Sequence, residues 1–246
     1  MKKLIVLLLC PLLIALCFCG CVSVNFDPFS QTVSGTGDRE KYDIETGAFT
    51  GIKMSSACEI HYYAADKAAA TLEIQPNLRA YFSLEVKNGV LVVDSTRKIN
   101  FSANSLPVLA VYAPALTGLT VEGACTFTAH DKITADSFEL NIAGAASGSA
   151  ELEVNRLSVS LGGAGSFTLT GTADTAQLSL AGAGKLDALS LQTREADVKM
   201  DGAGSVRIGC SQTLTVDANG IGSVEYRGSP TVDISKDGLV SVTRVD

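Results

Sequence analysis

Tryptophan is absent from this chain of 246 residues, and only two histidines occur, His61 and His130. Neither histidine has metal-ligand spacing to a cysteine or carboxylate motif, so no metal centre is expected. His61 lies three residues after Cys58, on the opposite face of an alternating strand, and both histidines read as surface polar residues. A Gly-x-x-x-x-Gly-Lys-Ser/Thr phosphate loop is missing, as is any other cofactor motif. Past the first 20 residues no long 3.6-residue periodicity appears, which excludes coiled coils and helical repeats. Basic residues are also in the minority. Lys2 and Lys3 are the only charges among residues 1–20, and without that segment 17 Lys and Arg face 26 Asp and Glu, a net charge of −9. Such a chain has no electrostatic footprint for nucleic acid and no basic patch to grip an anionic membrane.

The first residues carry an address. Two lysines precede an apolar run from Leu4 to Phe18 that contains Pro11. The run is shorter than the roughly 20 residues of a permanent span and has the layout of a secretory signal. Residues 18–21 read Phe-Cys-Gly-Cys. A small residue before a cysteine at the end of such a run resembles the bacterial lipobox. Gly20 fits the small position, and Cys21 is the expected lipidated residue; Cys19 follows the bulky Phe18 and fits less well. An ordinary cleaved signal without lipid is the alternative. Two or three acyl chains bury enough methylenes, at about 0.8 kcal/mol each, to hold a protein on a membrane. Val22 follows Cys21, with no aspartate there to signal inner-membrane retention. By analogy with Gram-negative lipoproteins this points to the outer membrane, with surface and periplasmic orientations both open. Residues 21–40, with Asn25, Asp27, Pro28, Ser30, Ser34, Gly35, Thr36 and Gly37, read as a flexible tether.

Small residues and glycine dominate what remains, and they recur. Phe138-Glu-Leu-Asn-Ile-Ala-Gly144, Leu157-Ser-Val-Ser-Leu-Gly-Gly163, Ala176-Gln-Leu-Ser-Leu-Ala-Gly182, Ala196-Asp-Val-Lys-Met-Asp-Gly202 and Leu214-Thr-Val-Asp-Ala-Asn-Gly220 each alternate apolar with mostly polar residues and end on glycine. Alternation marks a strand with one buried face. A second glycine often follows two residues on, giving the pairs Gly163/Gly165, Gly182/Gly184, Gly202/Gly204 and Gly220/Gly222. Gly123 marks an earlier copy, Ser56 a first one and Lys236 a degenerate last one. From Gly123 the anchors are spaced 21, 19, 19, 20, 18 and 16 residues apart. A period near 19 with short strands implies an all-β solenoid, a right-handed parallel β-helix or close relative, whose coils are stabilised by their neighbours. The paired glycines are expected to point inward and let the backbone bend or approach the opposite wall. Calcium-binding repeats need Asp where Phe167, Leu186 and Val206 stand.

The stretch 41–115 departs from the period and reads as one expanded first coil, with 116–246 as the repetitive solenoid. Asn88-Gly89 between alternating strands signals a type I′ hairpin that caps the stack. Cys58 and Cys125 stand at the same place in their copies. Stacked on neighbouring rungs, they fall in the Cα separation that a disulfide spans, and an exported compartment permits the bond. A Cys58–Cys125 bridge is therefore expected, with two buried thiols as the alternative; Cys210 reads as unpaired.

Together, Phe49-Thr-Gly-Ile52, the Asn88-Gly89-Val-Leu-Val strand pair, the serial Gly-Ala-Gly motifs and the closing Gly220-Ile-Gly-Ser-Val-Glu-Tyr-Arg-Gly-Ser-Pro230 resemble the family described as "Putative auto-transporter adhesin, head GIN domain". The resemblance covers roughly 45–245, with Ser56, Ala146 and Lys236 departing at glycine places. It implies a bacterial lipoprotein and offers no catalytic residues to carry over. Outward acids, Asp187, Asp197, Asp201, Asp217 and Glu225, raise the reading of a polysaccharide-cleaving β-helix, but a solvated face accounts for them and an enzyme is not expected. The leading expectation is a surface interaction protein binding glycan or protein. A periplasm-facing structural or sensory lipoprotein is the alternative.

Overall fold

The structure, a computed structural model, describes residues 31–97, 99–102 and 105–246. The expected signal segment, Cys21 and the start of the expected tether lie outside these. The chain opens with short strands: β1 (Gln31–Val33), β2 (Glu40–Ile44), β3 (Gly51–Met54), β4 (Ala57–Ala64), β5 (Ala69–Ile74), a 3-10 turn (Pro76–Tyr81), β6 (Phe82–Lys87), β7 (Val90–Ser95), β8 (Ile99–Phe101), β9 (Val108–Ala113), β10 (Gly118–Val121) and β11 (Ala124–Ala129). Longer strands follow, β12 (Ile133–Ile142), β13 (Ala145–Leu161), β14 (Ala164–Leu180), β15 (Ala183–Met200) and β16 (Ala203–Ala218). The chain closes with β17 (Ile221–Arg227), β18 (Thr231–Lys236) and β19 (Leu239–Arg244).

These strands stack as the coils of a parallel β-solenoid. Alternation places every second side chain inside, and the parallel register lines those side chains up rung over rung about 4.8 Å apart. One such column runs Ile52, Leu119, Leu140, Val159, Leu178, Val198 and Val216, all buried. The next residue in it, Ile234, is 44% exposed, because no further coil of the described residues covers it. Burial in this fold comes from the neighbour above and the neighbour below.

Glycine marks the corner between the two strands of a coil. Gly123, Gly144, Gly163, Gly182, Gly202 and Gly220 form one column, and Gly165, Gly184, Gly204 and Gly222 a second, two residues on. The constraint differs from the inward bend expected above. A Cβ on Gly163 would sit 1.9 Å from Gly144 O, and one on Gly165 1.7 Å from Ala146 O. The space that is needed lies along the stack, against the adjacent coil. Gly144 O accepts the N–H of Ala164 at 2.9 Å, so the corner carbonyl is locked in place by the rung above it.

Gly238, two residues beyond Lys236, completes the first column. Gly238 N–H reaches Ala218 O as Gly220 N–H reaches Met200 O, and Lys236 pairs with Ala218 inside the strand. Without Gly-Ala-Gly around it, position 238 had no motif to mark it.

The expanded first coil carries two antiparallel additions rather than one. The β6–β7 hairpin turns at Asn88 (φ 52°) and Gly89 (φ 77°), both left-handed as a type I′ turn requires, and β7 continues in parallel onto β3. On the second face β9 pairs in parallel with β4, then antiparallel with β5, which pairs antiparallel with β2. Part of the expected 21–40 tether is fastened to this region. Gly35 N–H donates to Ser105 Oγ (2.8 Å), Thr36 N–H to Asn77 Oδ1 (3.0 Å) and Arg39 Nη2 to Leu106 O (2.9 Å). Its small polar residues satisfy their backbone groups on neighbouring side chains instead of in water.

Candidate functional site

A groove crosses the coils where the second strand of each passes into the next turn. One wall is a row in parallel register, outward except at the buried Gly209: Thr134, Glu153, Thr172, Gln192, Gly209 and Arg227. The floor is the adjoining inward row, in which Val154, Ala173, Thr193 and Cys210 are buried. Asn155, Asp174, Arg194 and Ser211 flank the other side. The groove encloses about 470 Å³ and adjoins a second hollow of about 500 Å³ that shares Gln192, Thr193 and Ser211 and reaches Arg227.

Unequal coil lengths shape the β15–β16 end of this groove. Gly182 to Gly202 spans 20 positions and Gly202 to Gly220 spans 18. Strands of unequal length cannot keep one register, and it shifts between Ala188 and Gln192 and again between Thr193 and Glu195. Such irregularities re-aim side chains and are over-represented next to functional sites. Side chains then occupy the freed backbone groups. Thr193 Oγ1 donates to Gly209 O (2.7 Å), Ser211 Oγ to Thr193 O (2.9 Å) and Cys210 Sγ to Thr213 O (3.1 Å), so the floor is fixed.

Charge is unevenly distributed along the groove. At one end Asp136 is held by Asn155 Nδ2 (2.8 Å) and by Arg156, which together lower its pKa from the ordinary value. Glu153 takes Lys132 Nζ at 3.2 Å. At the other end the exposed guanidinium groups of Arg194 and Arg227 make no ion pair or hydrogen bond with another described residue. The amide of Gln192 and the hydroxyl of Thr172 are likewise unused among the described residues.

The outward acids fall into different settings. Asp187 and Glu225 are bridged by Arg207, at 2.8 and 2.9 Å, across three coils. Burial acts to raise the Asp187 pKa, and the bonds from Arg207 and Lys185 outweigh it, leaving the carboxyl below its ordinary value. Asp201 pairs with Lys199, and Asn219 bonds Asp201 and Asp217. Asp197 lines a separate shallow hollow with Glu195.

Cys58 and Cys125 are register partners on β4 and β11, both buried, and are free thiols in this structure. Cys58 Sγ lies 3.4 Å from Pro107 O, leading towards β9. Burial pushes the Cys58 thiol well up, and pushes Cys125 up to about 12. Cys210 is also a buried free thiol, under the groove.

The two histidines meet, which the sequence reading missed. His61 Nδ1 and His130 Nε2 are 2.8 Å apart, and Glu59 Oε1 lies 3.1 Å from His61 Nε2. Tyr63 is stacked between His130 (4.7 Å) and Tyr112 (5.3 Å). A signal was present: the offset that pairs Cys58 with Cys125 also sets His130 beside Tyr63. Among the described residues no group of three or more His, Cys, Asp or Glu converges to hold a metal ion.

Solved structures share this architecture. A protein described as a putative adhesin from Bacteroides fragilis is 21% identical, with a TM-score of 0.81, over 87% of this chain and 100% of the other. One described as a putative lipid binding protein from Parabacteroides distasonis is 21% identical, with a TM-score of 0.69, over 88% and 100%. A putative adhesin from Parabacteroides merdae is 20% identical, with a TM-score of 0.61, over 88% and 100%. At these identities the likeness is one of fold. No curated protein matches the chain. The family model described as "Putative auto-transporter adhesin, head GIN domain" matches residues 48–230, most of the solenoid, and the chain belongs to that family.

Proposed function

We propose that this is a lipid-anchored envelope protein that holds a glycan in the groove along its coils, acting as an adhesin-like binding module. The observation that carries the reading is the groove itself. It spans successive coils, has a fixed floor, and presents polar groups such as the side chains of Gln192, Thr172 and Arg194 that bond no other described residue. A sugar chain offers the matching hydroxyls along an extended ligand, and unpaired donors and acceptors in a concave site supply orientation and specificity. The relative from Parabacteroides distasonis is described as lipid binding; the polar lining here favours a hydrophilic ligand. The settings of the outward acids support binding over hydrolysis, since Asp187 and Glu225 share Arg207 and Asp201 pairs with Lys199.

Thr172→Ala/Gln192→Ala tests the site, because both side chains are exposed and contribute little to folding. Binding of the wild-type protein to a glycan panel is expected, with at least tenfold loss in the double variant. Unchanged binding in the variant, or none in the wild type, overturns the reading. Lipidation at Cys21 is tested by cell fractionation of Cys21→Ala, which is expected to leave the membrane fraction. Protease shaving of intact cells separates surface from periplasmic orientation: cleavage before the outer membrane is breached supports an adhesin-like role, and protection opposes it.

A further inference from the structure

We infer that the groove selects an oligosaccharide carrying one anionic sugar at its end, and seats that sugar's acidic group between Arg194 and Arg227. This rests on the glycan reading and adds which glycan.

The charge order along the groove carries the inference. Position by position, Asp136, Asn155, Asp174 and Arg194 follow one another on successive coils, flanked by register-paired neighbours. The parallel row runs from Thr134 and Glu153 through Thr172, Gln192 and Gly209 to Arg227. The groove therefore passes from an acidic end to a basic end. At the acidic end the carboxylates of Asp136 and Glu153 are engaged by Arg156, Asn155 and Lys132. At the basic end the two guanidinium groups are unengaged by any described residue.

Unpaired arginines are notable in a chain whose other coil cations are mostly neutralised: Lys185, Lys199 and Arg207 each have a carboxylate partner. A planar guanidinium presents paired N–H donors that match a carboxylate or sulfate in two-point contact. Gly209 stands between Gln192 and Arg227 in the wall. It is buried, and a Cβ there would sit 2.5 Å from Leu191 O, so the wall at this point is close-packed backbone with no side chain. An acidic group lying over this backbone, where the groove and the adjoining hollow share Gln192, Thr193 and Ser211, would have Arg194 of the groove on one side and Arg227 of the hollow on the other. A uniformly acidic polymer fits poorly, because its other end would lie against Glu153, Asp136 and Asp174. A neutral chain with a single terminal acid matches both ends.

The test compares three probes on the full solenoid by titration calorimetry: lactose, sialyllactose, which carries a terminal carboxylate, and 3′-sulfated lactose. The wild type is expected to bind one or both acidic probes at least tenfold tighter than lactose, and the stronger of the two identifies carboxylate or sulfate as the group recognised. Arg194→Ala/Arg227→Ala is expected to remove that preference, bringing the acidic probes to within about twofold of lactose measured on the same variant, with circular dichroism reporting an intact fold. Thr172→Ala/Gln192→Ala is expected to weaken all three probes. Equal binding of the three to the wild type overturns the charge inference and leaves the glycan reading standing. Absence of binding by any probe, with no response across a wider glycan panel, overturns both.

Discussion

At the scale of single residues, the corner glycines are the positions where the fold tolerates least. Gly165 and Gly162 are three residues apart and differ in one respect. A Cβ on Gly165 would meet a backbone carbonyl oxygen at 1.7 Å, and one on Gly162 would meet Ile142 O at an ordinary 3.7 Å. Carbonyls locked by the rung above cannot retreat, so Gly165→Ala is expected to cost about 3 kcal/mol, at the upper end for overpacking. Gly162→Ala is expected to stay within about 0.5 kcal/mol. Urea denaturation of both variants checks this, and equal costs would show that coil spacing adjusts freely. The cysteine pair makes a second residue-scale prediction. Thiol exchange needs the thiolate, which the Cys125 pKa of about 12 suppresses in the folded chain. A bridge to Cys58 is therefore made during folding or not at all. Protein folded under reducing conditions is expected to keep both thiols through incubation with oxidised glutathione. Chain refolded from denaturant in a glutathione couple is expected to acquire the bridge. Mass spectrometry after alkylation without reductant distinguishes the two, and rapid bridging of the folded protein would refute the argument.

At the scale of elements, adjacent coils are tied outside the core by side-chain ladders. Arg207 on β16 links Asp187 on β15 to Glu225 on β17. Arg207→Gln is expected to destabilise the protein by about 1 kcal/mol at neutral pH, the upper range for such pairs. The sign of its pH dependence follows from Asp187. A carboxyl whose folded pKa is depressed contributes stability that is present above the unfolded value, near 3.9, and is lost as pH falls through the folded value. The gap between wild type and variant is therefore expected to be constant above about pH 5 and to close below about pH 4. A gap that survives at the lowest pH would assign the effect to packing of the Arg207 stem. The elements themselves were largely legible, because alternation and glycine report directly on local backbone geometry. Asn88-Gly89 announced its hairpin for the same reason. The β2–β5–β9 addition was not legible: its pairings join residues far apart in sequence with no turn signature between them. Gly238 escaped notice in favour of Lys236 because its neighbours lack the motif. The groove was hidden for a related reason. One end of it lies where coils of 20 and 18 residues mismatch, and such a mismatch becomes a shape only once register is known.

At the scale of the whole molecule, the two ends of the stack differ. The first rungs are covered in parallel by β7 and β9, which antiparallel strands extend, whereas β18 and β19 pair among the described residues on one side only, with β16 and β17. The outward ladder at the glycine corner is alanine from Ala124 to Ala203, then Ile221 and Leu239, which are 60% and 80% exposed. In a solenoid each coil is stabilised by its neighbours, so a terminal coil with one neighbour has roughly half the interface of an inner one. Local opening should then be graded along the axis. Amides of β18 and β19 are expected to exchange with deuterium at least tenfold faster, relative to their intrinsic rates, than those of β13, β14 and β15, a difference of about 1.4 kcal/mol or more in opening free energy. The groove lies on the inner side of this gradient at its acidic end and nearer the open coil at Arg227. A ligand bridging Arg194 and Arg227 would link β15 to β17, and is expected to slow exchange in β17 more than in β13. Uniform protection from β13 to β19 would mean that the coils open as one unit, and that the open end carries no energetic consequence for the site beside it.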